Sequence, residues 1–128
     1  LKANIKAGRT AGDTFELLNE RINGAGFKVM ETFNEPTDDP ENIDVIIGCH
    51  SVGNLGHGIG PSIAWFNPER MKYTIQPTNL FSIELFAYTA IPEWGGKKLR
   101  VPLEDNAIVT ERGVEWLYPV NNKVLLIR

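Results

Sequence analysis

One histidine set among glycines and two glutamates set in apolar strands are the residues here whose types suit metal binding or proton transfer. His57 stands in "NLGHGIGPSIAWF", Asn54 to Phe66, and is one of two histidines in the chain. Glu84 lies in "LFSIELFAYTAI" and Glu104 in "LRVPLEDNAIVT". Imidazole and carboxylate together make a donor set for borderline divalent cations and for general acid–base chemistry. Ile83 and Leu85 flank the first glutamate and Leu103 precedes the second, so each acid interrupts a strand that otherwise reads as buried. Two carboxylates on one sheet face repel and desolvate badly unless a proton or a cation lies between them. The competing reading leaves both glutamates on a solvent face and His57 at the top of a turn.

Which reading holds depends on the elements that carry these residues. From Leu80 onward the sequence mixes alternation with aromatic and β-branched residues, the pattern of strands, and "WLYPV" and "KVLLIR" read as two shorter ones. Gly95-Gly96 in "PEWGGKK" is a hairpin signal; antiparallel partners across it have numbers summing to roughly 188 to 192, which sets Glu84 close to opposite Glu104. Directly paired residues have Cβ atoms ~5 Å apart on the same face. "NNK" at Asn121 to Lys123 and Glu111 to Gly113 read as further turns. Upstream, Thr10 with Asp13 resembles a capping box, and Phe15, Leu18, Ile22 and Ala25 recur at helical spacing until Gly24 and Gly26 stop the helix. "IDVIIGC" is a short β-branched run and reads as a strand, while "NEPTDDPEN" is turn chemistry that reads as a solvated loop. Helix first and antiparallel strands afterwards is the α+β pattern, a helix packed on a twisted antiparallel sheet.

At 128 residues the chain has the length of one domain, here residues 1–128 as a single unit. A formal charge of -3 offers no electrostatic attraction to nucleic acid or to an anionic membrane, and neither is expected as a partner. No apolar run approaches the ~20 residues that span a bilayer, and the amino end lacks a signal-peptide core; a cytoplasmic location is expected. Cys49 is the single cysteine, so no internal disulfide forms, and it reads as a buried small hydrophobe rather than a nucleophile. "LKANI" reads as the tail of a helix, so the chain is expected to be a piece of something longer.

Three stretches taken together carry a family resemblance. "GHGIG" at Gly56 to Gly60, "SIE" at Ser82 to Glu84 and "LEDNAIVTERGVEWL" at Leu103 to Leu117 resemble successive motifs of the pita-bread metallopeptidases, which include methionine aminopeptidase, aminopeptidase P and the Xaa-Pro dipeptidase prolidase. "IKAGRTAGDTFELLNERINGAGF" is similar to the helix that precedes them, so the resemblance covers almost the whole chain. It implies the carboxy-terminal half of a pita-bread fold. It implies His57 as a metal ligand, Glu84 as a second ligand and as general base, and Glu104 as the carboxylate bridging two ions of manganese, cobalt, iron or zinc. Metals ~3.5 to 4 Å apart in such a site lower the pKa of water and polarise the scissile carbonyl of a peptide substrate with a free amino end.

The sequence also departs from the family. Two aspartates that complete the dinuclear site belong upstream of the helix, and Asp13, Asp38, Asp39 and Asp44 stand in the wrong places to replace them. The second histidine that the family carries seven residues after the metal histidine is replaced here by Ala64. Leu85 replaces a proline, and Pro102 stands two residues before Glu104, where its missing N–H suggests an edge or a bulge. The chain by itself is therefore expected to be inactive, binding one ion or none; Ala64 and Leu85 favour the rival reading of a non-catalytic peptide-binding or protein-binding module, whereas His57, Glu84 and Glu104 favour the enzyme lineage. His50 reads as a surface or turn histidine, Lys97 and Lys98 as solubilising charges at a hairpin tip, and Trp65, Phe66, Trp94 and Trp116 as packing residues. Apolar surface on "LFSIELFAYTAI" exceeds what one helix covers, and a two-fold homodimer is the expected remedy.

Overall fold

The computed structural model describes residues 1–53, 56–120 and 123, with the side chains of residues 53 and 56–58 outside the described set. The capped helix forms where the sequence places it: α1 spans Ala11–Gly24, and the Thr10 hydroxyl accepts from the Asp13 N–H at 3.0 Å. That bond satisfies one of the amide donors left over at a helix start. Ala11, Thr14, Phe15 and Leu18 are its buried positions, one stripe at helical spacing. Ala25, expected on the same stripe, is exposed, because the helix ends one residue earlier. Lys2–Asn4 form a single 3-10 turn, and Ile5 then runs extended and drops fully buried into the core.

Among the described residues the strands are β1 (Lys28–Val29), β2 (Asp44–Ile47), β3 (Cys49–Gly53), β4 (Gly56–Ile63), β5 (Leu80–Ile91), β6 (Lys97–Thr110) and β7 (Gly113–Trp116). The class is α+β, as the order of elements implies. The long strand β5 is the axis of the sheet. Along one edge it pairs with β6 over its whole length, and along the other with β2 and then β3, which Gly48 separates. β4 continues beyond β3, β7 beyond β6, and β1 beyond β2. The β1–β2 pair is parallel, so the sheet is mixed rather than wholly antiparallel.

The β5–β6 hairpin turns through Pro92–Trp94 and closes on Gly95 and Gly96, both at positive φ. Glycine reaches that region without the Cβ clash that strains other residues. Trp94, expected to pack, is instead 60% exposed at this tip. Pro102 lies on the stretch of β6 that has β5 on one side and no β7 on the other, an edge position where a missing N–H leaves no ladder bond unmade. β7 reaches only the first residue of "WLYPV": beyond it the Tyr118 hydroxyl folds back to accept from the Asn106 N–H at 3.2 Å. "NNK", apart from Lys123, and "KVLLIR" after it lie outside the described residues.

Alternation along the strands divides the sheet into two faces. Ile47, Cys49, Ile63, Phe81, Ile83, Ala107 and Val109 point to one, where Ile5, Phe15, Leu18 and Ile75 complete the core. Register puts His50, Ser62, Ser82, Glu84, Glu104 and Asn106 on the other. The same face is closed at its far end by a buried ion pair. Lys98 Nζ bonds Asp44 Oδ2 and donates to Thr37 Oγ1 at 3.0 Å, with the Lys98 side chain 5% and that of Asp44 0% exposed. Lys98 is therefore not a solubilising charge. It anchors the Asn34–Asn42 loop to the sheet, since Thr37 Oγ1 also reaches Asp44 Oδ1 at 3.1 Å.

Candidate functional site

The polar face gathers its functional groups at the centre of the sheet, where β3, β5 and β6 run side by side. Glu84 and Glu104 are direct partners in the β5–β6 ladder. Their numbers sum to 188, within the range that the hairpin turn implies. Both point to the polar face, as alternation from Ser82 and Asn106 requires. The two carboxylates nevertheless have different surroundings. Glu104 is exposed, and its Oε1 accepts from the Ser82 hydroxyl at 2.7 Å. Glu84 is 16% exposed in its side chain, and its Oε2 lies 3.5 Å from His50 Nε2.

Glu84 is held at both ends of the residue. Its carbonyl accepts from the Gly48 N–H at 3.1 Å and from the Cys49 thiol at 3.3 Å. Its carboxylate lies over Gly48, where a β-carbon would already touch it at 3.5 Å, so the gap between β2 and β3 is the space the carboxylate occupies.

His50 is the site residue that sequence reasoning missed. It sits within β3, paired with Ser82 on β5 and Ser62 on β4, and is 8% exposed. It is neither at the surface nor in a turn. Its Nδ1 lies 3.0 Å from the carbonyl oxygen of Ser51. A carbonyl can only accept, so Nδ1 carries the proton, and Nε2 is the nitrogen turned toward Glu84. One signal in the sequence was available: His50 follows the β-branched run of β2 two residues past Gly48, in phase with the polar positions of β5.

For His57 the backbone places its Cα opposite Val52 in the β3–β4 ladder. Its side chain lies outside the described residues, and so does the expected convergence of its imidazole on Glu84 and Glu104. Among the described residues no three His, Cys, Asp or Glu side chains stand close enough together to hold a metal ion. Asp44, one of the aspartates the sequence offers, is committed to Lys98 and Thr37.

Cys49 fits its expectation as a buried residue. It is fully buried on the core face, and burial pushes its thiol up to about 12. The aromatic residues divide. Trp65 packs against the core and against Phe33 at 4.9 Å between ring centroids, and Trp116 also packs against the core. Among the described residues no helix is long and apolar enough to cross a membrane. No protein-family model matches this sequence, and no curated protein matches it either.

Proposed function

We propose that this chain is the carboxy-terminal part of a pita-bread metallopeptidase-like domain, whose metal-binding face carries His50, Glu84 and Glu104. The observation that carries this reading is the approach of His50 Nε2 to Glu84 Oε2 at 3.5 Å, on the face and beside the strand that present Glu104. An imidazole nitrogen and two carboxylates are the donor types that manganese, cobalt, iron and zinc accept. The residues fit such a cation in type. The resemblance itself implies His57 as the metal histidine, with Ala64 seven positions later, and the His57 side chain lies outside the described residues.

In this reading His50, Glu84 and Glu104 are the residues that would hold a cation. A divalent cation there supplies Lewis acidity toward a peptide carbonyl and lowers the pKa of water. Glu84, shielded from solvent and held through its carbonyl, would be the residue placed to accept a proton. The substrate class is a peptide presented by its free amino end, with Xaa-Pro dipeptides as the first to try. The two aspartates that the resemblance calls for have no counterpart in this sequence, so the chain by itself binds one ion weakly and does not turn over. A non-catalytic module that binds peptide on the same face is the second reading, favoured by Leu85 and Ala64 in place of family residues.

Cobalt titration followed by its visible absorption tests the proposal. One weakly held ion is expected, lost in His50→Ala and in Glu84→Gln. Binding that survives both substitutions would overturn it, and peptide binding indifferent to metal would favour the second reading.

The proposal includes self-association. Leu85, Ala87 and Leu103 line an open apolar groove of about 250 Å³ with Ile22, Val45 and Phe27, beyond the end of α1. A second copy packed there would cover Leu103, which is 53% exposed.

A further inference from the structure

We infer that Arg70 is a positioning residue for the His50–Glu84 pair, acting through Ser51 and the irregularity between β3 and β4. The inference rests on reading that pair as metal ligands. It begins with the ladder itself: the β3–β4 register shifts between His50 and Val52, and Ser51, 5% exposed, sits at the shift. Bulges of this kind re-aim the groups beside them. Here the re-aimed group is the Ser51 carbonyl, which meets Nδ1 of the preceding residue, His50, at 3.0 Å. That contact sets the tautomer and turns Nε2 toward Glu84.

Arg70 holds the irregularity from the outside. It lies in the short helix α2 (Pro68–Met71). Its Nε–H donates to the Gly60 carbonyl at 2.9 Å, and its Nη2 donates to Ser51 Oγ at 3.4 Å. The Ser51 hydroxyl in turn donates to the Ile59 carbonyl. One planar guanidinium therefore spans both strands of the hairpin, which its fork geometry permits and a lysine ammonium would not. Gly60 completes the clasp for two reasons. It sits at φ +87, and a β-carbon there would stand 2.7 Å from Ser51 Oγ. Removing the guanidinium leaves the Gly60 carbonyl and the Ser51 hydroxyl without their donor, lets the register relax, and frees the Ser51 carbonyl to leave Nδ1.

Nitrogen-15 NMR of the histidine side chains in the metal-free full chain, at mildly alkaline pH, reads the tautomer directly. His50 is expected as the Nδ1–H form in the unsubstituted protein and as a mixture with the Nε2–H form in Arg70→Met. Cobalt affinity should fall about tenfold to a hundredfold in the same variant, the range seen when a ligand's supporting contact is lost. A folded Arg70→Met with His50 still wholly Nδ1–H overturns the inference. Should Arg70→Met fail to fold, Ser51→Ala decides by the same spectrum: a mixture supports the inference and an unchanged Nδ1–H form overturns it. The spectrum needs no metal, so failure of cobalt to bind the unsubstituted chain would remove the proposed function and leave the tautomer result to judge Arg70.

Discussion

Glu84 and Glu104 oppose each other directly across the β5–β6 ladder, yet one carboxylate faces His50 Nε2 at 3.5 Å and the other is hydrogen-bonded by Ser82 Oγ at 2.7 Å. Like charges in this position cost stability. In the proposed reading a cation would draw this pair together.

Glu104→Gln should therefore act in opposite directions on stability and on metal binding. In the metal-free protein it removes a directly opposed like charge, worth roughly 0.2–1 kcal/mol in a sheet, and keeps an acceptor for Ser82. Urea unfolding should shift to higher midpoint while cobalt affinity falls. A variant less stable than the parent would mean that the two carboxylates do not repel.

Lys98→Met should be among the costlier substitutions, because it strands the buried Asp44 carboxylate. Loss of one partner of a buried pair typically costs about 3–5 kcal/mol. Adding Asp44→Asn removes the orphaned charge and keeps an acceptor for Thr37 Oγ1, so the double variant should regain at least half of the loss. Equilibrium denaturation of the two variants measures this, and an additive double loss would contradict the pairing.

The Cys49 thiol predicts an alkaline limb of stability. Burial raises it in the folded chain from 9.0 to about 12, so the unfolded chain gives up the proton first. The associated stability is intact below pH 9.0 and drains away as pH rises toward about 12. The slope approaches about 1.4 kcal/mol per pH unit for one proton. Other groups titrate in that window, so the measurement is the difference between the parent and Cys49→Ala, whose limb should be shallower. Equal limbs would show that the thiol is not protected. A thiol reagent should likewise leave the folded protein unlabelled.

Sedimentation at micromolar concentrations should show a concentration-dependent approach to a dimer, abolished by Leu103→Asp. Phe81→Asp is no test of this surface, because Phe81 is fully buried in the core and its replacement would unfold the chain. A single 14.3 kDa species at every concentration would rule the dimer out.

How much of this was written in the sequence follows the range of the interactions involved. Helix α1 was legible because its cap and its apolar stripe are local, settled within a few residues of Thr10. The pairing of Glu84 with Glu104 was legible for a related reason: a tight glycine turn propagates its register along two long strands. What the sequence alone could not decide was which partner each carboxylate takes. His50 reaches Glu84 across a separation of 34 residues, only because β2 and β3 share one edge of β5. Lys98 finds Asp44 in the same non-local way, at a place where the sequence shows only a hairpin tip. Periodicity reports the environment of a residue along its own strand, whereas the identity of its neighbour across the sheet is set by strand order, and strand order is a property of the folded chain.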